Sequence, residues 1–291
     1  MPDCVTYLIA GHRLQVSGPQ EVALLSTMPG FPLFADDTAA DCPWKVTFGQ
    51  DVSRPGQWTS LYEYTGPDGA PWSFARTDEA CYFMMQHTET AESPLLMRYD
   101  GGDTVVATHA LTPSVMRFAL WMATGMLAAS YKVVLIHSSV VVHHGRAVLF
   151  LGESGTGKST HTRLWIEHIP DAHLLNDDSP AVAIENGVPM VYGSPWSGKT
   201  HCYHTDRFPL AAAVRLSQAP HNKIRRLSTL EAFTALQPSF PPALMRDEWL
   251  ADKFIPMIGE ILSSVPVFHL ECLPDADAAY TSCKAVFGTI E

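Results

Sequence analysis

Short apolar runs, broken by Pro, Gly and aromatic residues, fill the chain up to about residue 100. They read "VTYLIAGHRLQV", "WKVTFGQ", "WTSLYEYTG", "PWSFAR", "ACYFMMQH" and "PLLMRY". Strand formers bounded by turn residues at this spacing predict a mostly antiparallel β region. "GPDGAPW" at Gly66–Trp72 is a dense turn signal, and "ADD" at Ala35–Asp37 reads as a solvated loop.

The pattern changes near Thr112. In "TPSVMRFALWMATGMLAASYK" Thr112 can cap a helix whose first position is Pro113. Apolar residues surround most of that helix, which predicts burial on all sides. Two β-branched runs follow, "VVLIHSSVVVHHG" and "RAVLFLG", joined by a His-His-Gly turn. "THTRLWIEHIP" reads as a short helix ended by Pro170, "AHLLNDD" as a strand, and "AVAIENGVPMVYG" as a hairpin turning at Asn186-Gly187. Helical spacing returns from Leu230, with a Pro-rich interruption at Gln237–Pro242. "DEWLADKFIPMIGEILSSV" and "DADAAYTSCKAVFGTI" then predict two late helices, with "VFHLEC" as a strand between them. The expected fold is α+β or α/β, with a β-rich region over residues 1–110 and a second domain over 111–291. No internal repeat interrupts this order.

Composition narrows the class of protein. Hydrophobic residues make up 46% and charged residues 17% of 291, ordinary for a soluble globular chain. A net charge of −11 argues against nucleic acid or an anionic membrane as the main partner, since both reward a basic surface. The one concentrated basic stretch is "KIRRL" at Lys223–Leu227. The most apolar run, Phe118–Tyr131, is too short to span a bilayer, and the acid early in "MPDCVTYLIAGHR" argues against a signal peptide. Six widely spaced cysteines without a C-x-x-C pair fit a reduced, cytoplasmic chain with inert thiols. His161, His168, His173, His201 and His204 have no metal-ligand spacing, and His143 and His144 read as turn residues.

Two stretches fit G-x-x-x-x-G-K-[ST]: "GESGTGKST" at Gly152–Thr160 and "GSPWSGKTH" at Gly193–His201. A phosphate-binding loop needs a strand before it, an unhindered backbone through it and a helix after it. Its N–H groups then wrap the phosphates while the helix N-terminus adds a favourable dipole. The first stretch meets these needs, following "AVLFL" and preceding a helix pattern. Gly152, Ser154, Gly155, Thr156, Gly157, Lys158, Ser159 and Thr160 would cradle a nucleotide. Lys158 would reach the terminal phosphates, and the Ser159 hydroxyl would help hold Mg²⁺. In the second stretch Pro195 removes an N–H donor and Trp196 crowds the backbone. No helical spacing follows, so the expectation is one nucleotide site. Lys199, Thr200 and His201 remain available there for an acceptor hydroxyl, carboxylate or phosphate, the alternative being a structural turn.

"LLNDD" sets Asp177 and Asp178 at the end of an apolar strand after the P-loop helix. Two adjacent acids can divide two tasks: one holds Mg²⁺, directly or through water, and the other accepts the proton of an attacking hydroxyl. His137, in "LIHSSVVV", is the third candidate, against its reading as a satisfied core histidine.

Together, "IHSSVVVHHGRAVLFLGESGTGKST" and "LLNDD" resemble the catalytic domain of HPr kinase/phosphorylase, over roughly residues 130–200. In that family a histidine leads the hairpin, a G-x-S-G-x-G-K-S loop follows, and paired aspartates come next. His137 precedes Gly152 by fifteen residues, as in the family. "SGTGK" is also similar to the loop of phosphoenolpyruvate carboxykinase, whose nucleotide fold the family shares. The resemblance implies a kinase that passes a phosphoryl group from ATP or GTP to a serine hydroxyl with Mg²⁺. Lys158, Asp177 and His137 would act in catalysis, Asp177 as proton acceptor, with Ser159 and Asp178 at the metal. This chain departs from the family at Thr160, where an acid is usual. It also lacks the later region that engages HPr, where "GSPWSGKTH" and "NKIRRL" stand instead. "PWSGK" resembles HPr-kinase-like proteins found beside peptide-modification genes, and free-serine kinases. That implies Lys199, Arg225 and Arg226 as contacts for an acidic acceptor group or the polarised phosphate, the alternative for the two arginines being solvated charges.

The expected activity is therefore a phosphotransferase acting on a hydroxyl of a peptide, protein or small molecule, with homo-oligomer formation left open. Two other classes compete. Carboxykinase-like chemistry on oxaloacetate is one, although the chain is far shorter than those enzymes. A nucleotide-binding regulator without phosphoryl transfer is the other, although binding alone would need only one metal-positioning acid.

Overall fold

The computed structural model of the chain describes residues 3–38, 40–65, 69–86, 93–198 and 200–288. Gly66–Asp68 of the expected turn, and Lys199, lie outside the described residues. The chain divides into two units, Met1–Tyr131 with Pro242–Lys253, and Lys132–Pro241 with Phe254–Glu291.

The first unit carries an eight-stranded sheet. Its strands are β1 (Cys4–Ile9), β2 (His12–Ser17), β3 (Trp44–Thr47), β4 (Thr59–Thr65), β5 (Pro71–Arg76), β6 (Cys81–Met85), β7 (Leu95–Tyr99) and β8 (Thr104–Ala107). In space the order is β1-β2-β3-β8-β7-β6-β5-β4. The pairing is antiparallel except where β3 runs parallel to both β2 and β8. Helix α1 (Pro19–Leu25) joins β2 to the strands beyond, an element the residue pattern did not suggest. Helix α2 (Pro113–Ala128) begins where Thr112 Oγ1 accepts the Val115 N–H at 3.4 Å. Because α2 packs on α1, β3 and β8, this unit runs past the boundary expected near residue 110 and ends at Tyr131.

Residues 242–253 return to the same unit through a buried charge pair. Asp247, 2% exposed, lies 3.1 Å from Arg76 Nη1 and accepts the Leu250 N–H, which starts helix α5 (Glu248–Ser264). An unpaired carboxylate would be costly at that depth, so Arg76 and the helix start are needed together.

In the second unit the strands are β9 (Val133–Leu135), β10 (Ser138–His143), β11 (Arg146–Leu151), β12 (His173–Asp178), β13 (Ala181–Glu185), β14 (Val188–Tyr192), β15 (Arg207–Gln218), β16 (Lys223–Arg226) and β17 (Val267–Cys272). The main path is β12-β10-β11-β15-β14-β13-β9, and β17 pairs with both β15 and β16. Strands β11, β15 and β17 are parallel neighbours, the arrangement that leaves their C-terminal ends together at one edge. Helices α3 (Lys158–His168), α4 (Thr229–Leu236) and α6 (Ala276–Phe287), with α5 from Phe254 onward, belong to this unit. Val148, Phe150, Trp165, Val214, Leu216 and Leu270 belong to one core between α3, α6 and the sheet. Full burial of each such side chain favours folding by about 2 kcal/mol.

The expected strand around His137 is divided. β9 pairs with β13, β10 pairs with β11 and β12, and Ile136–His137 forms the corner between them. There the Ile136 and His137 N–H groups donate to Pro180 and Ser239 carbonyls at 3.0 and 2.8 Å. The hairpin turn at Asn186-Gly187 has positive φ at both residues, 50° and 80°, as a two-residue turn requires.

His161 on α3 is 3% exposed, with Nε2 3.0 Å from Ser282 Oγ and the Trp165 indole N–H beside it. Burial pushes its pKa down from 6.5 to about 4. Below pH 6.5 the unfolded chain takes up this proton while the folded chain does not until about 4. The stability from neutral His161 is complete above pH 6.5 and is lost as pH falls through that window, by about 3 kcal/mol in all. Denaturant midpoints measured between pH 7 and pH 4 should fall for wild type and fall less steeply for His161→Gln. Among the described residues, no helix is long and apolar enough to cross a membrane.

Candidate functional site

The first glycine-rich stretch connects strand to helix. β11 ends at Leu151 and α3 starts at Lys158, with Gly157 in the left-handed region at φ 101° as the residue before the helix. Gly152 has φ 152°, and a Cβ there would collide with Thr156 Oγ1, whose hydroxyl donates to the Glu153 carbonyl at 2.8 Å. A bare backbone is therefore required at the point where the chain leaves the strand. Ser154 and Gly155 are exposed at the crest of the loop.

Lys158 folds back over this loop. Its ammonium donates to the Gly152 and Glu153 carbonyls at 2.8 and 3.2 Å and lies 3.0 Å from His137 Nε2. Burial, which outweighs attraction from Asp178 and Asp177 and is reinforced by repulsion from Arg215, holds its pKa below the ordinary lysine value. With Lys158 donating, Nε2 of His137 accepts and Nδ1 carries the proton toward Asp178 Oδ1, 3.4 Å away.

The two aspartates, at the C-terminal end of β12, differ in their partners. Ser159 Oγ donates to Asp177 Oδ1 at 2.9 Å, and among the described residues Oδ2 of Asp177 has no protein donor. Asp178 faces His137 and receives the Ser179 hydroxyl at 3.0 Å. Burial pushes the Asp178 carboxyl up, but the His137 and Ser179 hydrogen bonds, with the charge of Lys158, outweigh it and hold the pKa below the usual carboxylate range. Asp177, rather than the Asp178 expected at the metal, is the carboxylate touching Ser159. A hydroxyl and a carboxylate oxygen this close form a donor set suited to a hard divalent cation such as Mg²⁺, which keeps its remaining positions for water and phosphate oxygens.

The second glycine stretch braces this pair. Asn176, fully buried, donates to the Trp196 carbonyl at 3.0 Å and accepts the Ser179 N–H at 3.0 Å. The Gly198 N–H donates to the Asp177 carbonyl at 2.6 Å, and Ser197 bridges to Asp178. Trp196 is buried, and residues 201–206 form no helix. A Cβ on Gly193 would overlap the His204 carbonyl. Gly193→Ala should therefore cost more than about 2 kcal/mol of stability, measured as a lowered denaturant midpoint.

A cleft of about 590 Å³ opens beside α3, lined by Gly155, Thr160, Leu164, Leu216, Gln218 and Pro274 among others. Gln218 Nε2 donates to the Gly155 carbonyl at 3.3 Å, tying the end of β15 to the loop.

Of the tentative acceptor residues, His201, Arg225 and Arg226 do not join this cluster. His201 is exposed, with Nδ1 3.1 Å from the Tyr203 hydroxyl. Arg225 donates to Glu231 at 2.8 Å. Glu231 also receives the Ser228 hydroxyl and N–H at the start of α4, and these bonds hold its pKa down to about 2. Arg225 thus supports a helix cap. Arg226 is exposed, and among the described residues it makes no hydrogen bond or ion pair with the loop or the acid pair.

Sequence reasoning passed over Arg215 and Gln218. Both become neighbours of the loop only through the parallel pairing of β11 with β15, which no local pattern announces. Comparison with protein-family models and with curated proteins finds no significant match to either.

Proposed function

We propose that the chain is a Mg²⁺-dependent phosphotransferase that moves the γ-phosphoryl group of ATP or GTP to a hydroxyl, of serine type. The acceptor is a peptide, protein or small molecule. We read the second unit as a P-loop fold of the HPr kinase/phosphoenolpyruvate carboxykinase type. The observation that carries this reading is the 2.9 Å contact joining Ser159 of the glycine loop to Asp177 of the acid pair. A loop serving only as a turn would have no need of a buried lysine above it and two carboxylates beside it.

In this reading the loop N–H groups and the start of α3 hold the phosphates, and Lys158 exchanges its carbonyl partners for terminal phosphate oxygens. The apolar walls of the cleft, Leu164, Leu216 and Pro274, suit the face of a nucleobase. Ser159 and Asp177 hold Mg²⁺, which supplies neutralisation of phosphate charge when bound. Asp177 Oδ2 accepts the proton of the incoming hydroxyl. Asp178, kept ionised by its neighbours, is the poorer proton acceptor and fixes the His137 tautomer instead.

The test is [γ-³²P]ATP turnover with Mg²⁺ and a panel of serine-bearing acceptors, free serine included. Label transferred to an acceptor, and lost when Mg²⁺ is chelated, is the expected result. Nucleotide binding without transfer to any hydroxyl would favour a nucleotide-gated regulator instead.

A further inference from the structure

Arg215 lies on β15 directly opposite Leu151, the last strand residue before the glycine loop. Its neighbours Val214 and Leu216 point into the core on the α3 side, so alternation turns Arg215 to the other face of the sheet. There Nη1 donates to the Ala235 carbonyl at 3.4 Å, and Nη2 lies 3.9 Å from Glu153 Oε1. The Arg215 side chain is 26% exposed, whereas Glu153 is 85% exposed. That pair is long and solvated on one side, and worth little by itself. Among the described residues, no other carboxylate pairs with this guanidinium.

Lys158, buried, and Arg215, partly exposed, thus both reach Glu153 of the loop, one through its carbonyl and the other through its carboxylate. Two such charges side by side call for an anion with several oxygens. The cleft that suits a nucleobase opens on the α3 face, beside Leu216 and Gln218. Arg215, on the opposite face, is then remote from the base and near the loop end where the terminal phosphate would lie.

We propose that Arg215 is a second cation of the phosphate site, gripping the terminal phosphoryl group of the bound nucleoside triphosphate and exchanging Glu153 for it. This rests on the phosphotransferase reading. In the transfer, the acceptor oxygen bonds to the γ-phosphorus while the bond from that phosphorus to the β–γ bridging oxygen breaks. The electron pair stays with the nucleoside diphosphate, and the acceptor proton passes to Asp177. The planar guanidinium bridges two oxygens of the moving group throughout.

The test compares dissociation constants for Mg·ATP and Mg·ADP in wild type, Arg215→Ala, Arg215→Gln and Arg215→Lys. ADP lacks the group that Arg215 grips and so reports on the rest of the site. Both neutral variants should lose about 10- to 100-fold in ATP affinity and keep ADP affinity within about twofold. Arg215→Lys should recover part of the loss. An ATP-to-ADP ratio unchanged from wild type overturns the proposal, and so does equal loss of both nucleotides in all three variants. Failure of the wild-type protein to bind either nucleotide is a different result, which removes the phosphotransferase reading itself.

Discussion

Lys158→Ala should abolish phosphoryl transfer and most nucleotide affinity while leaving the fold intact. Loss of one preorganised donor to developing charge costs about 10²- to 10³-fold in turnover. Here the ammonium is also the principal cation over the loop, so the upper end of that range is expected. Stability should respond differently. Lys158 is held below its ordinary pKa by burial, so its removal relieves a desolvation cost as well as deleting three hydrogen-bond contacts. The melting temperature without nucleotide should stay within the equivalent of about 1 kcal/mol of wild type. A saturating nucleotide, at about 100 times its dissociation constant, adds about 2.7 kcal/mol to wild type and should add almost nothing to the variant. Thermal unfolding with and without Mg·ATP measures both effects. A large nucleotide shift retained in Lys158→Ala would contradict the assignment.

The second large effect is expected at Asp177. Asp177→Asn preserves size and can still receive the Ser159 hydroxyl, but its amide cannot accept a proton from an incoming alcohol. Turnover should fall about 10²- to 10⁴-fold, in the range of a lost general base. Nucleotide affinity should fall less than turnover, through the weakened Mg²⁺ contact alone, because the loop, Lys158, Ser159 and the cleft are untouched. Single-turnover transfer measured beside equilibrium binding separates these outcomes. Proportionate loss of binding and transfer would leave Asp177 as a metal ligand alone and remove its role as proton acceptor.

Much of the site is local in the chain and could be read from it. Strand, glycine loop, lysine and helix occupy one continuous stretch, and "LLNDD" ends its strand where residue pattern predicted. What depends on distant pairing could not be read. Arg215 reaches the loop only because β15 lies parallel to β11, although α3 and the three strands β12, β13 and β14 separate them in sequence. His137 sits at a corner because β9 and β10 pair with different strands, although their residues follow one another in a single stretch of the chain. The second glycine stretch matched the phosphate-loop spacing for another reason. Gly193 passes close to a backbone carbonyl and Gly198 donates to Asp177, so its glycines answer to packing behind the acid pair. The β-rich start was evident from alternation and turn residues. The return of residues 242–253 to that unit was not, since it turns on Asp247 meeting Arg76 across a wide interval of sequence.

The central claim is one Mg–nucleotide site per chain, built at Gly152–Ser159. Equilibrium dialysis of labelled ATP with Mg²⁺, on wild type and Lys158→Ala, tests it most directly. The account predicts one nucleotide bound per wild-type chain, with binding lost on chelation of Mg²⁺ and in the variant. Two nucleotides per chain, undiminished binding by Lys158→Ala, or no binding by wild type would contradict it.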